Sequence, residues 1–257
     1  MTGRLPDFII GGAPRSGTTR LTAALDAHPD IWLAKPIRPE PKFFLVDELY
    51  AEGLDTYSRR WFAGAPDVLA VGEKSTNYLE SHAAAARIAS DLPQVRLLFV
   101  LREPTERALS NYRWSVMNGM ESEDFATALS LEERREADLA PELRYARPHA
   151  YFSRGRYAQM LRPYYDRFPA EQILVIRFED LVAEPDRTMV RVHDFLQVPA
   201  RPGPVGHLEG VNPSSGDPRV DPRTLTRLRA TYEPTVRELA ELIGPSFVPW
   251  TQEESDR

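Results

Sequence analysis

Residues 8–19 read FIIGGAPRSGTT. An apolar, β-rich run from Phe8 to Ile10 breaks here into a loop of glycine, proline, serine and threonine that carries one arginine, and this junction decides the fold. In Gly12-Ala-Pro-Arg-Ser-Gly17-Thr18-Thr19 the two glycines stand five residues apart and a hydroxyl residue follows. That is the spacing of a nucleotide-binding P-loop, with one change: Thr18 stands where the motif has lysine. The backbone N–H groups of such a loop, and the positive end of a helix starting near Thr18, can still face an anion. An anion site is therefore expected over Arg15, Ser16, Gly17, Thr18 and Thr19. Without the lysine no side chain bridges β- and γ-phosphates, which argues against transfer of a highly charged phosphoryl group with its magnesium. A sulfuryl group carries less charge, and Arg15 is placed within the loop to supply one cation near the bridging oxygen.

Outside this junction the chain reads as one folded domain over residues 1–257. With 257 residues, 42% of them hydrophobic, it is long enough to bury a substantial core, and 27% charged residues exclude neither order nor solubility. No stretch approaches the run of about 20 apolar residues that spans a bilayer, and MTGRLPDFII lacks a long apolar leader, so an intracellular, cytoplasmic location is expected. The absence of cysteine excludes disulfides, thiolate nucleophiles and cysteine zinc sites. A net charge of −6 argues against a broad nucleic-acid footprint but permits a local basic pocket. Oligomeric state has no signature in the sequence.

Apolar runs at Phe8 to Ile10, Val68 to Val71, Leu97 to Leu101 and Ile173 to Phe178 alternate with segments of helical period, which predicts an α/β domain around a mostly parallel sheet. Helices are expected over Thr18 to Ala27, Ser81 to Asp91, Thr105 to Met117, Arg156 to Phe168, Pro185 to Leu196 and Pro222 to Ile243. His28-Pro29 ends the first, while Pro104 and Pro222 sit at or near helix starts. The segment Leu131 to Pro148, with its run EERREAD, reads as a solvated helical face. Pro199 to Pro222 reads as a long loop, a possible ligand cover.

Four further stretches follow FIIGGAPRSGTT in order: PEPKFF at 39–44, GEKSTNY at 72–78, LLFVLREPTERALSNY at 97–112 and VDPRTLTRLRATYEPTVRELAELIG at 220–244. Together they resemble the sulfotransferases that use 3′-phosphoadenosine-5′-phosphosulfate (PAPS), and in motif layout the heparan-type glycan sulfotransferases, over nearly the whole chain. The resemblance implies a P-loop-like three-layer fold, a central, mostly parallel sheet flanked by helices. It also implies PAPS as co-substrate, no metal, and a first loop that holds the 5′-phosphosulfate while a later strand and helix hold the 3′-phosphate.

Arg102 leaves the strand LLFVL at its C-terminal end, the edge where open α/β sheets bind ligands. With Ser110 eight residues on, it matches the family's 3′-phosphate contacts, and a guanidinium fork suits a terminal phosphate. The competing reading pairs Arg102 with Glu103 or Glu106. The resemblance makes Glu40 the general base that takes the acceptor's proton, with prolines on both sides restricting its backbone. It places Lys74 by the sulfuryl group, where with Arg15 it would stabilise the transferring group and leaving phosphate; pairing with Glu73 is its alternative. Where the family often has a basic residue stands Pro39, with Lys35, Arg38 or Lys42 as substitutes. Ahead of the last helix GVNPSSGDPR replaces the family's Lys-Gly-Arg cluster, with Asn212, Ser214 and Arg219 in reserve. His28 is expected to cap the first helix, and His149 to line an acceptor pocket built from residues 119–155.

These features predict sulfuryl transfer to a hydroxyl or amine of a small-molecule, lipid-linked or glycan acceptor. A P-loop nucleotide kinase predicts lysine at position 18, which is absent. A non-catalytic nucleotide-binding protein predicts loss of the base and the lysine, yet Glu40 and Lys74 are both present.

Overall fold

A computed structural model describes residues 4–201, 219–245 and 247–250. The described residues pack as two compact units: one runs to Leu101 and resumes at Met160, the other comprises Arg102–Gln159 and the residues from 219 onward.

The first unit contains five strands among the described residues: β1 (Phe8–Gly12), β2 (Ile31–Leu33), β3 (Ala70–Lys74), β4 (Arg96–Leu101) and β5 (Ile173–Arg177). They form one all-parallel sheet in the order β2-β3-β1-β4-β5. A parallel sheet is covered on both faces, which is why FII, LLFVL and ILVI are continuous apolar runs rather than alternating ones. On one face Phe8, Ile10, Leu98, Val100 and Ile176 pack with helices α1 (Thr18–Asp26), α8 (Phe178–Ala183) and α9 (Pro185–Leu196), through Leu21, Leu25, Leu181, Val192 and Leu196. The residues between them point the other way. On that side Phe99 meets Tyr164 edge-on at 5.0 Å, from α7 (Tyr157–Tyr165), and α4 (His82–Asp91) buries Ala84, Ala85 and Ile88. The three-layer α/β arrangement expected from the sequence is thus present.

Three differences from the sequence reading have physical causes. The run expected as a strand at Val68 to Val71 pairs instead over Ala70–Lys74, because Gly72, Glu73 and Lys74 are the partners of Phe8, Ile9 and Ile10. Glycine at 72 is required there: a Cβ would lie 2.4 Å from the Phe8 ring. The three-residue β2 and the five-residue α2 (Asp47–Ala51) are too short to show a period, whereas α3 (Leu54–Phe62) is amphipathic, burying Tyr57, Ser58 and Phe62, a pattern the sequence reading did not take up.

The second unit holds α5 (Pro104–Met117), α6 (Phe125–Ala137) and α10 (Pro222–Ile243). Its core joins Leu109, Tyr112, Phe125, Ala128, Tyr151, Leu228 and Tyr232. Proline opens α5 and α10, and the side chains of Glu103 and Asp221 accept N–H bonds from Glu106 and Arg223, as expected of helix starts. The charged run on α6 is not wholly a solvated face. Glu132 turns inward and accepts the backbone N–H groups of Phe152 and Ser153, so its charge is satisfied without water. Most of the Pro199 to Pro222 loop, including Asn212 and Ser214, lies outside the described residues.

Candidate functional site

The loop between β1 and α1 has the form of an anion cradle. Gly17 adopts φ 85, and a Cβ there would stand 2.4 Å from the Phe178 ring, so only glycine lets the chain turn this closely into the helix. Arg15 also has a left-handed φ of 67. Helix α1 makes its first intrahelical bond from the Arg20 N–H to the Gly17 carbonyl. The N–H groups of Thr18 and Thr19 therefore stand ahead of that ladder, at the positive end of the helix. Ser16 is fully buried, and its Oγ makes no hydrogen bond among the described residues. Buried hydroxyls are rarely left so, and an anionic oxygen in the cradle would satisfy it. These residues fit a phosphate or phosphosulfate.

Glu40 and Lys74 meet beside this loop. Lys74 ends β3 opposite Ile10 of β1, and the next N–H, of Ser75, bonds the Ile10 carbonyl. Lys74 Nζ lies 3.3 Å from Glu40 Oε1, with the lysine side chain 5% and the glutamate 15% exposed. Thr76 completes the arrangement by donating its backbone N–H to Glu40 Oε2 at 3.0 Å and its hydroxyl to the same carboxylate at 3.1 to 3.2 Å. The Thr76 carbonyl in turn lies 3.1 Å from where a Cβ on Gly12 would stand. Base candidate, lysine and glycine loop thus share the C-terminal edge of one sheet. A carboxylate has about four acceptor positions, and three donors leave room for one more hydroxyl.

The alternative partner for Lys74, Glu73, is excluded by strand geometry, since successive side chains leave opposite faces. Glu73 is fully buried and accepts the hydroxyls of Tyr57, Tyr78 and Ser75 at 2.9, 2.9 and 2.8 Å. Burial pushes its carboxyl up, the three hydroxyls pull it back, and the charge of Glu40 adds to the rise, leaving it at about 7. Sequence reasoning treated Glu73 only as a possible partner for its neighbour and missed Ser75, Thr76 and Tyr78. The quoted motif GEKSTNY holds all of them, but their roles depend on which face each residue takes.

Other expected residues are placed differently. Lys35 pairs with Asp26 at 2.6 Å, away from Glu40, and Arg38 is exposed. Lys42 contributes its backbone N–H, bonded to Ser75 Oγ. His28 does not cap α1, whose C-cap is Ala27. Its Nδ1 accepts the Asp30 N–H and its Nε2 lies 2.9 Å from the Pro199 carbonyl, so Nε2 carries the proton and the ring braces the turn into β2.

In the second unit Arg102, the residue after β4, lies 3.2 Å from Glu106, one turn into α5, which is the pairing offered as its alternative role. An incoming phosphate would have to share or displace that carboxylate. Ser110 is half-buried two turns along α5. His149 sits 3.8 Å from buried Glu121 and close to Tyr151, and burial holds its ring below the ordinary value. A cavity of about 860 Å³ is lined by residues of the 119–155 segment, Leu129 and Phe152 among them, together with Arg156 and with Arg227 and Leu228 of α10; His149, expected at an acceptor pocket, is not part of its lining. Among the described residues no group of His, Asp or Glu is arranged to hold a metal ion, and no helix is long and apolar enough to cross a membrane.

Residues 5–209 match the family model described as the sulfotransferase domain. Heparan sulfate glucosamine 3-O-sulfotransferase 3A1 of Mus musculus is 27% identical over 95% of this chain and 64% of its own. The 3B1 enzyme of Homo sapiens is 28% identical over 95% and 65%. The chain thus spans just under two thirds of these curated relatives. A sulfotransferase from Alicyclobacillus acidocaldarius, known as a crystal structure, is 30% identical, covers 93% of this chain with 96% of its own, and superposes with a TM-score of 0.77. Mouse sulfotransferase SULT7A1, solved complexed with PAP, shares the fold at 16% identity and a TM-score of 0.54. With a glycine loop fit for an anion, a carboxylate–lysine pair at its side, and a family model matching most of its length, the chain belongs to the sulfotransferase family.

Proposed function

We propose that the protein transfers a sulfuryl group from PAPS to a hydroxyl or amine of its acceptor. The observation that carries this reading is the Glu40–Lys74 pair, bound through Thr76 and lying against the start of the glycine loop. In this reading the co-substrate supplies the sulfuryl group and leaves as adenosine 3′,5′-bisphosphate (PAP). The N–H groups at the start of α1, the Ser16 hydroxyl and Arg15 hold its 5′ end. Arg102 and Ser110 hold the 3′-phosphate, a group that a nucleoside triphosphate lacks.

Glu40 accepts the proton that the acceptor hydroxyl loses as its oxygen bonds to sulfur, using the acceptor position left open by its three donors. Lys74 offsets the negative charge that grows on the bridging oxygen as the sulfur–oxygen bond to the 5′-phosphate breaks. Its near-complete burial makes that charge more effective than a solvated one. The 3-O-sulfotransferase relatives support a glycan hydroxyl as acceptor; small-molecule and lipid-linked hydroxyls belong to the same chemical class. Incubation with sulfur-labelled PAPS and a panel of acceptors of these three kinds, alongside calorimetry with PAP and with AMP, tests the reading. Label transfer and a clear preference for PAP are expected. Equal affinity for PAP and AMP would overturn it.

A further inference from the structure

We infer that Glu73 is a positioning residue for the proposed reaction, setting the place of Glu40 through a relay of two hydroxyls that tie the chain just after Glu40 to β3. Resting on the role proposed for Glu40, the inference adds the device that holds it. Each of the two hydroxyls is engaged on both sides. Ser75 Oγ donates to Glu73 at 2.8 Å and accepts the Lys42 N–H at 2.9 Å; Tyr78 Oη donates to Glu73 at 2.9 Å and accepts the Phe44 N–H at 3.3 Å.

A hydroxyl has one proton and two lone pairs. Above about pH 7, where Glu73 is ionised, its carboxylate takes the proton of each, the oxygen of each is left facing a backbone donor, and the polarity of the whole relay follows from one buried acid. An apolar or amide side chain at position 73 would not impose it. Tyr57 supplies the third donor and stacks on Phe43 at 4.4 Å, so the same group also anchors the side chain between the two tethered amides.

The tethered backbone needs this support. Lys42 adopts φ 52, a left-handed conformation that a lysine holds only where its surroundings over-determine it. Between it and Glu40 stands Pro41, buried and fixed in φ, so a shift at Lys42 is passed to Glu40 rather than absorbed. Glu40 is thus held at its carboxylate by Lys74 and Thr76 and at its backbone by the relay. That is how a loop residue can keep the angular precision that proton transfer demands.

The test uses Ser75→Ala and Tyr78→Phe, which remove one hydroxyl each and keep the fold's apolar contacts, in the full chain. Release of labelled sulfate from PAPS to water serves as the rate assay, since it needs no identified acceptor. Each substitution is expected to lower kcat about tenfold, the rate equivalent of one hydrogen bond, with KM for PAPS changed by less than about twofold. In a Glu40→Gln background the same substitutions should cost nothing further, because the group they position is already gone. Hydrogen exchange gives a readout independent of activity: the amides of Lys42 in Ser75→Ala and of Phe44 in Tyr78→Phe should exchange about tenfold faster, while the amides of β1 and β4 stay protected. Losses that add fully to Glu40→Gln, or amides at 42 and 44 that exchange as before, would overturn the inference. If Glu40→Gln itself leaves the rate unchanged, the base assignment fails, and the exchange measurement still decides whether the relay holds the segment.

Discussion

Replacing Glu73 by glutamine should flatten the dependence of folding stability on pH. In the unfolded chain this carboxyl ionises near 4.5, whereas burial keeps it protonated in the folded protein to about 7. Across that window the folded state binds more protons than the unfolded state, so stability falls as pH rises through it and levels off above about 7. At 1.36 kcal/mol per pH unit, the displacement from 4.5 to about 7 corresponds to about 3 kcal/mol. Glutamine does not titrate, and its variant should lack this component. Urea unfolding at a series of pH values, followed by the fluorescence of the four tryptophans, measures the difference. Other displaced carboxyls, Glu103 held up by burial and Asp124 held down by hydrogen bonds from Thr127, titrate alike in both proteins and cancel. Parallel stability curves for the two proteins, or a gap that widens in the opposite sense, would refute the reasoning that burial outweighs the three hydroxyl donors.

Lys74→Ala should lower single-turnover transfer by about a hundredfold or more, the usual cost of removing a preorganised charge from a transition state, while thermal unfolding confirms an intact fold. Glu40→Gln should leave PAP affinity unchanged in calorimetry yet cut the rate by about a hundredfold or more. Arg102→Ala should weaken PAP by about tenfold to a hundredfold and AMP hardly at all, since only PAP carries the group it is proposed to hold; an equal loss for both would place Arg102 elsewhere. Gly17→Ala must fit a methyl group 2.4 Å from the Phe178 ring in a left-handed backbone, so stability should fall by about 2 kcal/mol or more and PAP affinity with it, both read from thermal shift with and without ligand.

How far the sequence reading reaches depends on the range of the interaction behind each feature. The glycine spacing, the apolar runs of β1, β4 and β5, and the proline starts of α5 and α10 are local signals, fixed by backbone sterics and by periodicity within one segment. They placed the turn from β1 into α1 and most helices correctly. Glu132 shows where such signals stop: its charged neighbours read as solvent-facing, yet two backbone N–H groups from residues twenty and more positions away make burial favourable.

The sequence alone therefore determined β1, β4, β5 and most of the longer helices, the loop that turns from β1 into α1, and the residue types available for chemistry. Only the tertiary structure decided who meets whom. Thr76 finds Glu40 across 36 positions because β3 lies beside β2, the strand that leads into the Glu40 segment, in a particular register, and Lys74 finds Glu40 rather than Glu73 because adjacent residues on a strand face opposite ways. Pairing across a sheet is set by the sum of contacts along whole strands, a quantity that no short stretch of residues contains.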